Sequence, residues 1–119
     1  MKLTAAAQRP ILARVRGICL ALPDTSERLS HGEPTFFVKD RSFATMDTYH
    51  HGSAHYGVHV AAPLGAQDTL VRSDPARFFV PPYVGGRGWV GIVLDEDPDW
   101  DTIERVIADG HAHVAGRRR

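Results

Sequence analysis

Ser73-Asp-Pro-Ala-Arg-Phe-Phe-Val-Pro-Pro-Tyr-Val-Gly-Gly-Arg-Gly-Trp-Val-Gly-Ile-Val-Leu94 is the stretch whose reading decides the fold. Its second half alternates Trp89, Gly91 and Val93 with Val90, Ile92 and Leu94, which predicts a strand with two apolar faces and therefore a central one. Its first half cannot continue any helix past Pro81 and Pro82. Ser73-Asp-Pro75 reads as a helix stop followed by a capped turn, with Phe78 and Phe79 as anchors pinning a helical crossover to the sheet. Gly85, Gly86 and Gly88 supply a flexible bend into the strand. Aromatic rings bury large areas and Arg87 stands beside Trp89, so the tip from Tyr83 to Arg87 is the part left for contact.

Outward from this stretch the pattern is mixed. Ile11, Leu12, Val15, Ile18, Cys19 and Leu22 recur at helical spacing and predict a helix from Gln8 to Leu22, with Pro10 in its first turn and Pro23 ending it. Thr25 to Pro34 reads as a polar connection. Thr35–Lys39 and Ser42–Thr48 read as strands of a hairpin turning at Asp40 and Arg41, and Tyr56–Ala62 as a third, half-buried strand with Val58 and Val60 on one face and His55, Gly57 and His59 on the other. Pro63–Arg72 is helix-compatible. Asp97-Pro98 signals a helix start, after which Trp100, Ile103, Val106, Ile107, Gly110 and Val114 mark one face up to Ala115, with Gly110 as the weak point. The expected fold is one α+β domain over residues 1–119, ordered from about 8 to 115: an antiparallel sheet packed with N- and C-terminal helices and an inserted helical crossover.

Composition narrows the function classes. Fourteen basic residues balance fourteen acidic ones, which removes the simplest argument for nucleic-acid binding. The acids concentrate between Asp95 and Asp109, leaving the remainder net positive and ending in Arg117, Arg118 and Arg119. No apolar run approaches the roughly 20 residues that span a bilayer, and no signal-peptide core forms, so a cytoplasmic protein without membrane contact is expected. The single cysteine, Cys19, excludes an internal disulfide and fits a small buried hydrophobe.

Several constellations bear on chemistry. His50, His51, His55 and His59 invite a metal, but His55 and His59 on one strand would lie roughly 13 Å apart, so exposed turn and strand histidines and no metal site are expected. His111 and His113 do not share a helical face. The sequence has no nucleophile elbow, no reactive-cysteine signature and no glycine loop opening a helix. The carboxylates from Asp95 to Asp101 are explained by capping. Expected catalytic residues and cofactors are therefore none.

The chain resembles the MmcQ/YjbR family of small bacterial proteins from about Gln8 to Ala115. The resemblance is carried by Cys19-Leu-Ala-Leu-Pro23, Phe36-Phe-Val-Lys-Asp-Arg-Ser-Phe43, Asp74-Pro-Ala-Arg-Phe-Phe-Val-Pro-Pro-Tyr-Val-Gly85, Gly88-Trp89 and Val93-Leu94-Asp95. It implies a compact α+β fold related to the frataxin-like, double-wing architecture. It also implies the label DNA-binding, and it brings no catalytic residues. On that implication, weak and salt-sensitive DNA binding would run through Lys39 and Arg41 at the hairpin tip and through Arg77 and Arg87 beside the aromatic loop. The alternative is a small-molecule or protein-interaction module whose pocket lies beside that loop, with Tyr83 and Trp89 as contacts.

Overall fold

Thr4 caps the first helix: its hydroxyl accepts the Ala7 N–H at 3.1 Å, and α1 runs over Ala5–Leu20. A computed structural model describes residues 1–50 and 53–116 of the chain. The helix starts three residues before the expected Gln8 because a threonine cap followed by three alanines outweighs the proline, which falls inside the helix at Pro10. Val15 and Cys19 are fully buried on its inner face, and burial pushes the Cys19 thiol up to about 12, which leaves it an inert core atom.

Six strands form one antiparallel sheet: β1 Thr25–Ser30, β2 Glu33–Val38, β3 Arg41–Thr48, β4 Tyr56–Val60, β5 Phe78–Phe79 and β6 Val90–Val93. Their order is β1-β2-β3-β4-β6-β5. The segment expected as a connection, Thr25 to Pro34, is thus an edge strand, a turn and the start of β2. Its polar character suits an edge. Glu27 on one face takes a bidentate pair from Arg16 of α1 at 2.6 and 2.7 Å, while the Arg28 guanidinium lies 3.7 Å from the Phe37 ring centroid on the other.

The β2–β3 turn sits at Lys39 and Asp40, both left-handed with φ of 50° and 67°, one residue before the expected turn. Arg41 therefore belongs to β3 and pairs with Val38. A bulge where the register shifts between Phe36 and Phe37 absorbs Phe43, so Phe43 joins the helix-side core and meets His111 edge-on at 5.3 Å. All of β4 is buried rather than half-buried. Phe78 and Phe79, expected as anchors of the crossover, form a short edge strand entered from the crossover helix α2 (Ala66–Ser73). β6 lies between β4 and β5, inside the sheet as its two apolar faces predict.

The closing helix α3 covers Trp100–Ala115, capped by Asp99, whose carboxylate accepts the Thr102 N–H at 3.3 Å and hydroxyl at 2.8 Å. The expected cap, Asp97, instead adopts φ 49° and accepts from Arg77 at 2.9 Å. Helices α1 and α3 pack on the face carrying Phe36, Val58, Val60 and Ile92. His111 of α3 donates from Nε2 to the Pro23 carbonyl at 2.8 Å, joining the two helices' ends. Among the described residues no helix is long and apolar enough to cross a membrane.

Gly110 is a point of contact rather than weakness. A Cβ there would sit 2.2 Å from the Ala61 carbonyl oxygen and 2.8 Å from Val60 Cγ1, so the helix approaches the end of β4 only as glycine. Gly17 of α1 has nothing within 4 Å. Alanine gains about 1 kcal/mol over glycine inside a helix, whereas overpacking costs about 1–3 kcal/mol. Urea unfolding of the two variants should therefore move in opposite directions, with Gly17→Ala raising the midpoint and Gly110→Ala lowering it. A rise in both would contradict the close approach of α3 to the sheet.

Candidate functional site

The sheet face away from α1 and α3 is polar along one row. Thr35 pairs with Thr45, Thr45 with His59, His59 with Gly91, and Gly91 with Phe79, so one line of residues crosses five strands. Two residues along each strand, Glu33 precedes Thr35 and Asp47 follows Thr45, and antiparallel pairing sets these two carboxylates side by side. A cleft of about 730 Å³ opens over this face, within the size range of small-molecule sites. Glu33, Thr35, Asp47 and His59 form part of its floor, and Tyr83, Arg87 and Trp89 part of its wall.

Each floor group is held. Asp47 is 2% exposed and its Oδ2 lies 3.0 Å from His59 Nε2. An ionised carboxylate only accepts, so Nε2 carries the proton. Asp47 Oδ1 accepts the His50 backbone N–H at 2.8 Å. Burial alone would raise the Asp47 carboxyl, but the hydrogen bonds from His59, the His50 N–H and Ser53 outweigh it and leave it below the usual carboxylate range. Glu33 accepts the Thr48 N–H and hydroxyl, both at 2.8 Å, and pairs with His50 Nδ1. The Thr35 hydroxyl donates to the Glu33 carbonyl at 3.0 Å, so Thr45, 2.8 Å away, is the donor between the two threonines. Ligand atoms of Glu33, Asp47 and His50 lie within 4.8 Å of one another, a set of oxygen and nitrogen donors suited to a divalent cation.

The wall is built by the stretch from Phe79 to Trp89. A Cβ on Gly91 would fall 2.3 Å from the Phe79 ring, so the ring lies directly on the β6 backbone and meets His59 edge-on at 5.9 Å. Beyond it, Val84–Arg87 form a 3-10 turn instead of a flexible bend. The Gln67 amide of α2 donates to the carbonyls of Gly85 at 2.8 Å and Trp89 at 2.6 Å, which fastens both ends of that turn. Trp89 is 4% exposed, Tyr83 is 80% exposed, and the Arg87 guanidinium lies 5.5 Å from the Trp89 ring centroid.

The residues expected to contact a ligand thus separate into three places. Tyr83, Trp89 and Arg87 come together at the cleft. Lys39 and Arg41 are exposed at the β2–β3 turn, and Arg77 sits at the far edge beside β5, bonded to Asp74 at 3.1 Å and Asp97 at 2.9 Å. Three strand spacings separate β3 from β5, roughly 14 Å at least. His59 is buried rather than exposed, and His55 belongs to a second cluster. There Asp95 accepts from the Tyr56 N–H at 3.0 Å, the Tyr49 hydroxyl at 2.9 Å and His55 Nδ1 at 3.0 Å. Tyr49 in turn accepts the Leu3 N–H at 2.8 Å, so this cluster ties three connections together. His51 and Arg117 to Arg119 lie outside the described residues. Glu33, Asp47, Thr35 and Thr45 were missed by sequence reasoning, although strand alternation puts acids and hydroxyls on one face of β2 and β3.

A depressed carboxyl stabilises the fold above its unfolded value, about 3.9, and that contribution is lost as pH falls through the folded value. Asp47→Asn removes the charge but retains the shape. Wild type should exceed this variant by about 1–3 kcal/mol at pH 6, with the gap closing below about pH 4 in denaturant titrations. A gap that persists unchanged at pH 3 would contradict the charged pairing with His59.

Two comparisons place the chain among known proteins. The crystal structure of a Deinococcus radiodurans protein with a DUF419 domain superimposes with a TM-score of 0.76 at 16% identity, covering 89% of this chain and 79% of that one. No curated protein matches. The family model YjbR matches residues 20–113, which include every strand, the cleft and most of α3, and which begin at the last residue of α1. The chain therefore belongs to the YjbR family.

Proposed function

We propose that this YjbR domain is a small-molecule-binding module whose ligand occupies the cleft between the polar sheet face and the Tyr83–Trp89 wall. The observation that carries the reading is the cleft itself. About 730 Å³ of concave space is floored by fixed polar groups and walled by aromatic rings, the usual make-up of a small-molecule site. Burying Glu33, Asp47 and His59 on a sheet face is unfavourable unless each is bonded, and such fixed groups serve orientation of a ligand better than they serve packing.

A second reading, contact with nucleic acid through Lys39, Arg41, Arg77 and Arg87, is favoured by the exposure of Lys39 and Arg41, for which no ion pair occurs among the described residues. The two carboxylates on Arg77 and the separation of Lys39 and Arg41 from Arg77 count against it. Net neutrality limits the long-range attraction available to a phosphate backbone.

A screen of small aromatic fragments with one or two polar groups, followed by amide chemical shifts, separates the readings. Fragments should perturb Thr45, His59 and Tyr83, and Tyr83→Ala should weaken them about tenfold, equivalent to about 1.4 kcal/mol, at an unchanged melting temperature. Duplex DNA that shifts Lys39 and Arg41 at low salt, with no fragment shifting the cleft, would replace this reading with the nucleic-acid one.

A further inference from the structure

The cleft has two electrical poles. At one end Glu33 and Asp47 stand side by side, with side chains 8% and 1% exposed. Their partners are imidazoles, hydroxyls and backbone N–H groups, and no Lys or Arg pairs with either among the described residues. At the other end stands Arg87, exposed and stacked over Trp89, with no carboxylate paired to it among the described residues. Both ends line the same cleft.

The sheet register gives the spacing. Asp47 pairs with Gly57 and Gly57 with Val93, so Asp47 is level with Val93. Trp89 lies four residues from Val93, roughly 13 Å along the strand. The donors of Thr35, Thr45 and His59 on the floor are also spent within the fold. Thr35 donates to the Glu33 carbonyl, Thr45 to Thr35, and His59 Nε2 to Asp47. What remains at that end is the negative charge of Glu33 and Asp47 and the lone pairs that His50, His59 and Thr48 leave unused, which suits a cationic donor and repels an anion.

We infer that the ligand is an elongated organic molecule with two opposite charges, an ammonium-type cation seated at Glu33, with the buried Asp47 carboxylate beneath it, and an anionic group against Arg87. The inference rests on the cleft being the binding site, as proposed above. An ammonium supplies three donors to the acceptor-rich floor, and the guanidinium fork accommodates a carboxylate in two parallel hydrogen bonds. A molecule with a single charge satisfies one pole and leaves the other unchanged.

Isothermal titration calorimetry at low ionic strength with 8-aminooctanoate, octanoate and octylamine tests the assignment. The doubly charged probe should bind at least tenfold tighter than either singly charged one. Arg87→Ala, at an exposed position, should reduce 8-aminooctanoate to the level of octylamine and leave octylamine unaffected. Glu33→Gln should weaken both amines and spare octanoate. Equal affinity for octanoate and 8-aminooctanoate, or an Arg87→Ala variant that binds 8-aminooctanoate as tightly as wild type, overturns the inference. If no charged probe binds while neutral aromatic fragments still shift the cleft amides, the two-pole inference falls and the cleft remains a binding site. If the fragments fail as well, both fall.

Discussion

The Phe79 ring resting on Gly91 is the contact on which the cleft depends. Only the absence of a Cβ lets an aromatic side chain lie directly on the β6 backbone, and pairing of Phe79 with Gly91 fixes β5 as a two-residue edge strand. From that edge the chain must turn back over the sheet, and Pro81 and Pro82 prevent it from forming a helix on the way. It turns at Pro82 and Tyr83, where Tyr83 takes a left-handed φ of 66°, and enters the 3-10 turn. Gln67 then holds the turn at both ends, so α2 serves as the strut of the wall. Beside this turn the face of β2, β3 and the His59 position of β4 stays open and forms the cleft floor.

That floor is shaped by electrostatics more than by packing. Two carboxylates so deeply buried would ordinarily be replaced by apolar residues. Here hydrogen bonds from His59, Thr48 and backbone N–H groups keep them in place, and the Asp47 carboxyl is held below its usual range. The second cluster, around Asp95, uses similar chemistry for a different end. Its donors to Asp95 come from the segment between β3 and β4 and the first residue of β4, and through Tyr49 it joins the N-terminal segment to the approach of α3. One cluster faces open space and the other closes a joint between loops.

Much of this architecture was legible in the residues. The α+β class, the strand from Trp89 to Leu94, the alternation of Val58 and Val60 against His59, and the terminal helices all follow from apolar periodicity. Thr25 to Ser30 was not legible because an edge strand facing solvent needs no apolar alternation, and Ser-Glu-Arg looks like a loop. Phe78 and Phe79 look like anchors of a crossover because two residues carry no periodicity, and only the pairing with β6 makes them a strand. At α3, Asp97-Pro98 is the stronger local signal, yet the Arg77 contact draws Asp97 away and Asp99 caps the helix. The floor of the cleft was hidden for a different reason. Glu33 lies in the segment read as a connection and Asp47 in a neighbouring strand, and their adjacency exists only through the pairing of Thr35 with Thr45.

The central claim is that the space between the polar face and the Tyr83–Trp89 wall is a ligand site. A crystal structure of the protein soaked with 8-aminooctanoate tests it most directly. The account predicts density spanning the cleft, with the nitrogen at Glu33, above Asp47, and the carboxylate at Arg87. A cleft filled by the side chains of Tyr83 and Arg87, with the probe bound elsewhere on the surface, would contradict it.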